Sequence, residues 1–116
     1  MANPMTDLAV DTFHIVGPSD AVPNDFVVPY YLPDRKRRIA IARVGGRLFA
    51  FDDLCTCANE ACPLSGGLLT GTILMCQCHG SQFDIDTGAV IDGPASTALV
   101  TYHVQELAGV IQLRMA

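Results

Sequence analysis

Apolar residues alternate with small or charged ones along Arg38–Val44, which is the period-two pattern of a half-buried β-strand. Gly45 and Gly46 follow, and the chain then returns to an apolar-rich run over Arg47–Phe51. A Gly-Gly pair between two such runs is typical of a tight β-hairpin. The pattern therefore predicts an antiparallel hairpin over 38–51.

Shorter apolar runs predict further strands on both sides of this hairpin. They cover Thr12–Val16, Phe26–Tyr31, Ala98–Gln105 and Val110–Arg114. Because Pro29 has no backbone N–H, its strand belongs at a sheet edge or a bulge. No segment shows the apolar period of a helix of three turns, so we expect an all-β fold.

The stretch 52–94 has a different composition: it is rich in Gly, Cys, Ser and Asp and has only short apolar patches. The chain has 116 residues, of which half are hydrophobic and 16% are charged, so it can bury the core of one domain. We expect a single domain over 1–116, with a strand-rich base interrupted by a loop-rich insert at 52–94.

Charge excludes some functions of the insert. The net charge is −5, and no Lys or Arg occurs between Leu48 and Leu113. A nucleic-acid partner is not expected there, because phosphates require cationic neutralisation. The acidic stretch fits either a docking face for a basic redox partner or an ordinary solubilising surface, and the sequence leaves both open. No apolar run approaches the roughly 20 residues of a membrane span, and the start lacks the pattern of a signal peptide, so the default expectation is cytoplasmic.

The insert concentrates soft metal ligands. It contains every cysteine of the chain, and a histidine directly follows the last one: Cys55, Cys57, Cys62, Cys76, Cys78 and His79. In a cytosolic protein such clustering indicates metal binding or redox chemistry more often than a disulfide framework. Thiolates with imidazole point to zinc or to an iron–sulfur cluster. The two C-x-C pairs are tighter than a typical zinc knuckle, which favours iron–sulfur over a structural zinc module.

The segments around the second cysteine pair carry a family resemblance. The run Cys76–Asp84, followed by Thr87–Val90 and Gly93–Ala95, resembles the second half of the Rieske pattern, C-x-x-H-G-x-x-F/Y-D, T-G and G-P-A. The upstream runs 49–55 and 63–69 are similar to that family as well, so the resemblance covers about residues 38–113. It implies an antiparallel β-sandwich base, a loop-rich cluster-binding subdomain and a [2Fe–2S] cluster.

The resemblance also implies the ligands of the second box, Cys76 and His79. The first box departs from the family, because no histidine lies between residues 15 and 78. In the upstream register Cys55 takes the position of the family's first Cys and Cys57 replaces the His. In the downstream register Cys57 is the first Cys and Asn59 stands in the His position.

The downstream register gives the spacing of high-potential family members, in which two extra cysteines form a disulfide. The resemblance therefore implies a disulfide between Cys62 and Cys78. It also places Ser81 where a hydroxyl donates to a bridging sulfide, and Phe83 where a Tyr would add a further hydroxyl.

Ligand chemistry favours a three-thiolate set. An Asn amide oxygen is a poor ligand for iron in a sulfide cluster, and Cys55 is close enough in sequence to reach the same cluster as Cys57. The preferred hypothesis is therefore ligation by Cys55, Cys57, Cys76 and His79. The alternative keeps Asn59 in place of Cys55.

Together these features predict an electron-transfer protein rather than an enzyme, since the insert offers no nucleophile beside a general base. Family likeness implies a one-electron carrier between a flavin-dependent reductase and a terminal oxygenase or similar acceptor. Exchanging an imidazole for a thiolate adds negative charge, so we expect a lowered potential. The competing hypothesis is a redox-sensing or cluster-transfer protein with a labile cluster.

Overall fold

A computed structural model of the chain describes residues 13–33, 35–56 and 62–114. Within these ranges the chain forms ten β-strands and two single-turn 3₁₀ helices, at Ser19–Ala21 and Leu64–Gly66. The strands are β1 Phe13–Pro18, β2 Val27–Leu32, β3 Arg37–Val44, β4 Arg47–Asp52, β5 Leu68–Thr70, β6 Ile73–Met75, β7 Gln82–Asp84, β8 Val90–Asp92, β9 Thr101–Leu107 and β10 Val110–Arg114. Nowhere in these ranges is there a helix with the length and apolar character needed to cross a membrane.

Six strands form an antiparallel base in the order β1-β10-β9-β4-β3-β2. The predicted hairpin is confirmed as β3 and β4, which pair from Ile39↔Asp52 to Val44↔Arg47. Gly45 and Gly46 form the turn with φ of 58° and 82°, a conformation that strongly favours glycine.

The other strand predictions hold with shifted ends. Pro29 lies in β2, and β2 is an edge strand of the base, as predicted. The strand expected at Ala98–Gln105 begins three residues later, at Thr101, because Leu99 donates its N–H to Gly88 O in a loop contact. Of the first predicted strand, Thr12 lies outside the described residues.

The base closes around its own core. Strands β4 and β9 pair at two positions, Ala50↔Tyr102 and Phe51↔Thr101. Residues of β3, β4 and β10 nevertheless share one core cluster, so the sheet curves until its two halves pack face to face. The buried members of this base core are Val22, Ile39, Ile41, Leu48, Ala50, Ile111 and Leu113.

Strand β3 corrects the expectation of a half-buried strand. Ile39 and Ile41 face the base core, whereas Ala40 and Ala42 belong to a second core, and all four side chains are fully buried. The alternation therefore separates a buried face of large side chains from a buried face of small ones, rather than a buried face from a solvent-exposed one. Alanine occurs on the side where the insert packs closely against the strand.

The insert is more regular than its composition suggested. Strands β5, β6, β7 and β8 form a four-stranded antiparallel sheet of three-residue strands. This sheet and its loops pack on the alanine face of β3 and on β4 through the second core, whose buried members are Ala40, Ala42, Phe49, Phe51, Cys55, Cys62, Leu64, Leu74, Cys76, Phe83, Ile85, Ala95 and Leu99. The contact between insert and base therefore contains Cys55, Cys62 and Cys76.

Candidate metal centre

The second ligand loop, Cys76–Ser81, connects β6 to β7. Its ends are fixed by the bond from Cys76 N–H to Ser81 O (2.7 Å), and Gly80 N–H donates to Cys76 O (2.9 Å). Gly80 has a φ of 80°, which allows the chain to turn back sharply. The Cys76 side chain is fully buried, whereas His79 is exposed at the loop surface. The loop therefore offers a shielded thiol and a solvent-facing imidazole three residues apart.

A disulfide bond joins Cys62 to Cys78 and so connects the two loops across 16 residues of sequence. Their Cα atoms are 6.5 Å apart. The Sγ of Cys62 also lies 3.4 Å from the Sγ of Cys76. The three sulfurs of Cys62, Cys76 and Cys78 all lie within 4.8 Å of one another, so the cross-link is in contact with the proposed ligand of the second loop.

Both ends of the first ligand loop, residues 54–64, belong to the part of the chain that the structure describes. Cys55 is buried, with 6% of its surface exposed, and its N–H donates to Cys62 O at 2.8 Å. Cys57 and Asn59 lie outside the described residues, so the choice between the two registers stays a prediction. The remaining histidines, His14 and His103, are on β1 and β9 of the base rather than in the insert.

Ser81 is the last residue of the second loop, and Phe83 follows it on β7. Both side chains are fully buried. The Ser81 hydroxyl oxygen accepts a hydrogen bond from Ala95 N–H at 2.9 Å, and this contact leaves the hydroxyl proton for donation. A cis peptide bond between Gly93 and Pro94 directly precedes Ala95. The contact explains why the Gly-Pro-Ala motif, remote in sequence, belongs to the site.

Sequence reasoning missed two parts of this site. Asp53 is a fully buried carboxylate at the start of the first loop, although it lies in the acidic stretch that the sequence assigns to a docking face or a solubilising surface. Gly67 lies so close to β6 that an added Cβ would collide with the carbonyl oxygen of Met75. The available signals were an Asp directly after a buried strand and a Ser-Gly-Gly run between the boxes.

The acidic residues are less available for docking than their number implied. Four of them pair with arginines of the β3–β4 hairpin: Asp52 with Arg37 (3.9 Å), Asp53 with Arg38 (2.6 Å), Asp86 with Arg47 (3.2 Å) and Glu106 with Arg43 (2.8 Å). The hydrogen bond from Arg43 lowers the pKa of Glu106, and the same bond raises the pKa of Arg43. Much of the negative charge is therefore compensated within the fold.

Tyr102 forms a further polar link beside the insert. Its hydroxyl donates to Asp52 Oδ1 and accepts from Arg37 Nη1 (2.6 Å). Burial, followed by the hydrogen bond to Asp52, raises the pKa of Tyr102 to about 12. The neutral phenol therefore ties β9 to the end of β4, from which the first ligand loop begins.

This chain belongs to the Rieske [2Fe–2S] domain family, whose model matches residues 12–103. The match includes both ligand loops and most of the base. The cofactor of this family is the [2Fe–2S] cluster, as the cysteine box predicted.

Individual relatives agree with this assignment. The ferredoxin component of a naphthalene 1,2-dioxygenase system from Pseudomonas aeruginosa is 33% identical over 69 residues, which are 60% of this chain and 64% of the relative. The chain thus covers less than two thirds of that relative's length. The anthranilate 1,2-dioxygenase ferredoxin subunit from Burkholderia cepacia is 27% identical over 96% of this chain and 99% of its own length. The solved ferredoxin of Sphingomonas yanoikuyae B1 superposes with a TM-score of 0.81 at 28% identity, covering 90% of this chain and all of its own.

The described residues fit the cofactor on the side of the second loop. Cys76 offers a sulfur shielded from water, His79 offers an exposed imidazole, and Ser81 offers a hydroxyl proton from a buried position. Cysteine and histidine are the ligand types that a Rieske centre requires.

Proposed function

We propose that this chain is a one-electron carrier that takes electrons from a flavin-dependent reductase and passes them to a terminal oxygenase or similar acceptor. The observation that carries the proposal is the second ligand loop, which combines buried Cys76 with exposed His79. Relatives named as ferredoxin components of dioxygenase systems, such as that of a naphthalene 1,2-dioxygenase system, support it. A bound [2Fe–2S] cluster supplies the one-electron chemistry, because its iron pair changes charge by one unit.

The proposed ligands are Cys55, Cys57, Cys76 and His79, with Asn59 in place of Cys55 as the alternative, and the insert 52–94 is the segment that holds them. Burial of Cys55 and Cys76 would keep water away from the sulfur side of the site. Exposure of His79 would bring the imidazole side to the surface, where a partner can approach closely. Electron transfer between two proteins requires a short distance between donor and acceptor.

Two measurements test the carrier function. The purified protein should be red-brown and should bleach on chemical reduction, with a paramagnetic signal of the reduced cluster at low temperature. It should also be reduced by a flavin-dependent reductase and reoxidised by an oxygenase component in a stopped-flow experiment. Cys76→Ser and His79→Ala should lose the cluster signal, whereas the matched control His103→Ala, on β9 of the base, should keep it. A colourless, iron-free protein would contradict the proposal.

A second candidate, a redox-sensing or cluster-transfer protein with a labile cluster, is favoured by the three converging sulfurs. In the cluster-free chain the Cys76 thiolate could attack Cys62 Sγ from 3.4 Å, form a Cys62–Cys76 disulfide and release the Cys78 thiolate. This exchange needs no external oxidant or reductant, so it would follow the loss of the cluster rather than the ambient redox potential, and it would remove Cys76 from the ligand set. Mapping the disulfide by mass spectrometry in the apoprotein distinguishes the roles, since a carrier should keep the Cys62–Cys78 bond throughout.

A further inference from the structure

The carboxylate of Asp53 is fully buried, yet it belongs to neither the proposed ligands nor the disulfide. Its Oδ2 accepts hydrogen bonds from Arg38 Nε (2.6 Å) and from Ser65 Oγ (2.8 Å). Its Oδ1 accepts from the Ser65 backbone N–H at 2.6 Å. Burying a charge is costly unless it is paired and hydrogen-bonded, and here three donors meet that requirement.

These bonds close the base of the first ligand loop. Asp53 precedes Cys55 by two residues and Ser65 follows Cys62 by three, so the two bonds between Asp53 and Ser65 join the ends of the loop. One step further along, Cys55 N–H bonds to Cys62 O at 2.8 Å. The loop that contains the proposed first-box ligands is thus held by two successive cross-connections.

The same carboxylate ties the loop to the base. Besides the side-chain ion pair, Asp53 N–H donates to the carbonyl oxygen of Arg38 on β3 at 3.1 Å. The Arg38 side chain is 47% exposed, so the pair has one buried and one solvated member. A carboxylate that served only solubility would lie at the surface, and backbone hydrogen bonds alone can close a loop. The charge therefore indicates a demand for defined geometry rather than for stability alone.

We propose that Asp53 is a positioning residue, which through Ser65 sets the separation of the two ends of the first ligand loop and thereby controls how tightly the cluster is held. This inference rests on the proposed cluster site, but it does not depend on which first-box register is used. Groups behind metal ligands typically change metal affinity by about 10- to 100-fold when they are removed. We expect the lower part of that range for the single hydroxyl of Ser65.

The experiment compares holoprotein variants by four readouts: iron content, rate of cluster loss to an iron chelator, paramagnetic spectrum of the reduced form, and midpoint potential. Ser65→Ala removes one bond to Asp53, and Ser65→Thr restores a hydroxyl at the same position. Asp53→Asn keeps the shape of the side chain but removes its charge. Asp52→Asn is the matched control, because Asp52 is the neighbouring carboxylate and its partners Arg37 and Tyr102 do not close the loop.

We expect Ser65→Ala and Asp53→Asn to lose the cluster about tenfold faster than the wild type, with a shifted potential and an altered spectrum. Ser65→Thr should restore wild-type behaviour, and Asp52→Asn should match the wild type in all four readouts. If Asp53→Asn does not fold, the Ser65→Ala and Ser65→Thr pair decides the question. A lower unfolding temperature of Ser65→Ala, with wild-type spectrum, potential and chelation rate, would mean that the bonds between Asp53 and Ser65 are merely structural and that the inference is wrong. A wild type without any iron would overturn the proposed function and this inference with it.

Discussion

The Sγ atom of Cys76 is in contact with the Sγ atom of Cys62, at a distance of 3.4 Å, while Cys62 is itself bonded to Cys78. The cross-link between the loops therefore packs against a proposed ligand inside the core that joins insert and base. Anything that removes the cross-link changes both the freedom of the loops and the surroundings of the Cys76 sulfur.

Replacing both disulfide partners, Cys62→Ser with Cys78→Ser, should lower the free energy of unfolding by about 3 kcal/mol, the magnitude given by loop-closure entropy for a cross-link of this span. Urea unfolding followed by circular dichroism measures this value. The double variant should also lose its cluster faster, because the second loop is no longer tied to the first.

The control for this prediction is the wild type after reduction of the disulfide by a dithiol, which should reproduce both effects without any substitution. Equal unfolding midpoints for the oxidised and reduced wild type would show that the cross-link contributes nothing to stability.

Gly67 provides a second prediction, on how closely the loops approach each other. An added Cβ at Gly67 would collide with the Met75 carbonyl oxygen, which is backbone and directly precedes Cys76. Gly67→Ala should therefore destabilise the fold by about 2 kcal/mol, the usual cost of overpacking, and should perturb the cluster spectrum. Thermal unfolding and the visible spectrum are the measurements.

The neighbouring Gly66 supplies a matched control for this substitution. A Cβ at Gly66 would meet Gln77 Nε2 at 2.7 Å, the far end of an exposed and flexible side chain that can move away. Gly66→Ala should therefore be much milder, and equal effects of the two substitutions would refute the backbone-collision argument.

The raised pKa of Tyr102 predicts that the free energy of unfolding depends on pH. Its pKa is raised from 10.0 to about 12 in the fold, so the folded state holds the phenol proton more tightly than the unfolded state. The stability that this contributes is fully present below about pH 10 and is lost as the pH rises through about 12. Urea unfolding of the wild type should thus be harder than that of Tyr102→Phe at pH 8, and the gap should close on the alkaline side.

Asp52→Asn tests the cause of this shift. Since the hydrogen bond to Asp52 adds to the effect of burial, the variant should form phenolate at a lower pH than the wild type, as followed by phenolate absorption. An unchanged titration would mean that burial alone raises the pKa of Tyr102.

The base was predictable because its signals are local: the Gly-Gly turn and the alternation along β3 depend on neighbours in sequence. The burial of β3 on both faces was not, because it arises from the insert packing on Ala40 and Ala42. The burial of Asp53 was not predictable for the same reason, since its partners Arg38 and Ser65 are 15 and 12 residues away. A local pattern reports which residues alternate, but not which surface later covers them.

The final prediction concerns the first ligand loop and the substitution Asn59→His. If Cys55 and Cys57 are both ligands, the cluster already has its full set, and a histidine at position 59 should leave the midpoint potential and the spectrum unchanged. Cys55→Ser should then lose or strongly alter the cluster. Two-histidine Rieske centres span roughly −150 to +300 mV, against about −400 mV for all-cysteine plant-type clusters, so the wild type should fall in the lower half of the Rieske range.

Protein-film voltammetry of the wild type, Asn59→His and the control Ala58→His, which places the same imidazole one position away, measures these potentials. Under the three-cysteine set all three proteins should agree. A rise for Asn59→His alone, with a spectrum like that of two-histidine centres, would show instead that position 59 is a ligand position and that Cys55 is a core residue. That reading would fit the burial of Cys55 and its backbone bond to Cys62 equally well, because both features tie Cys55 to the closed base of the loop. The presence or absence of a potential shift in Asn59→His therefore separates the two ligand sets.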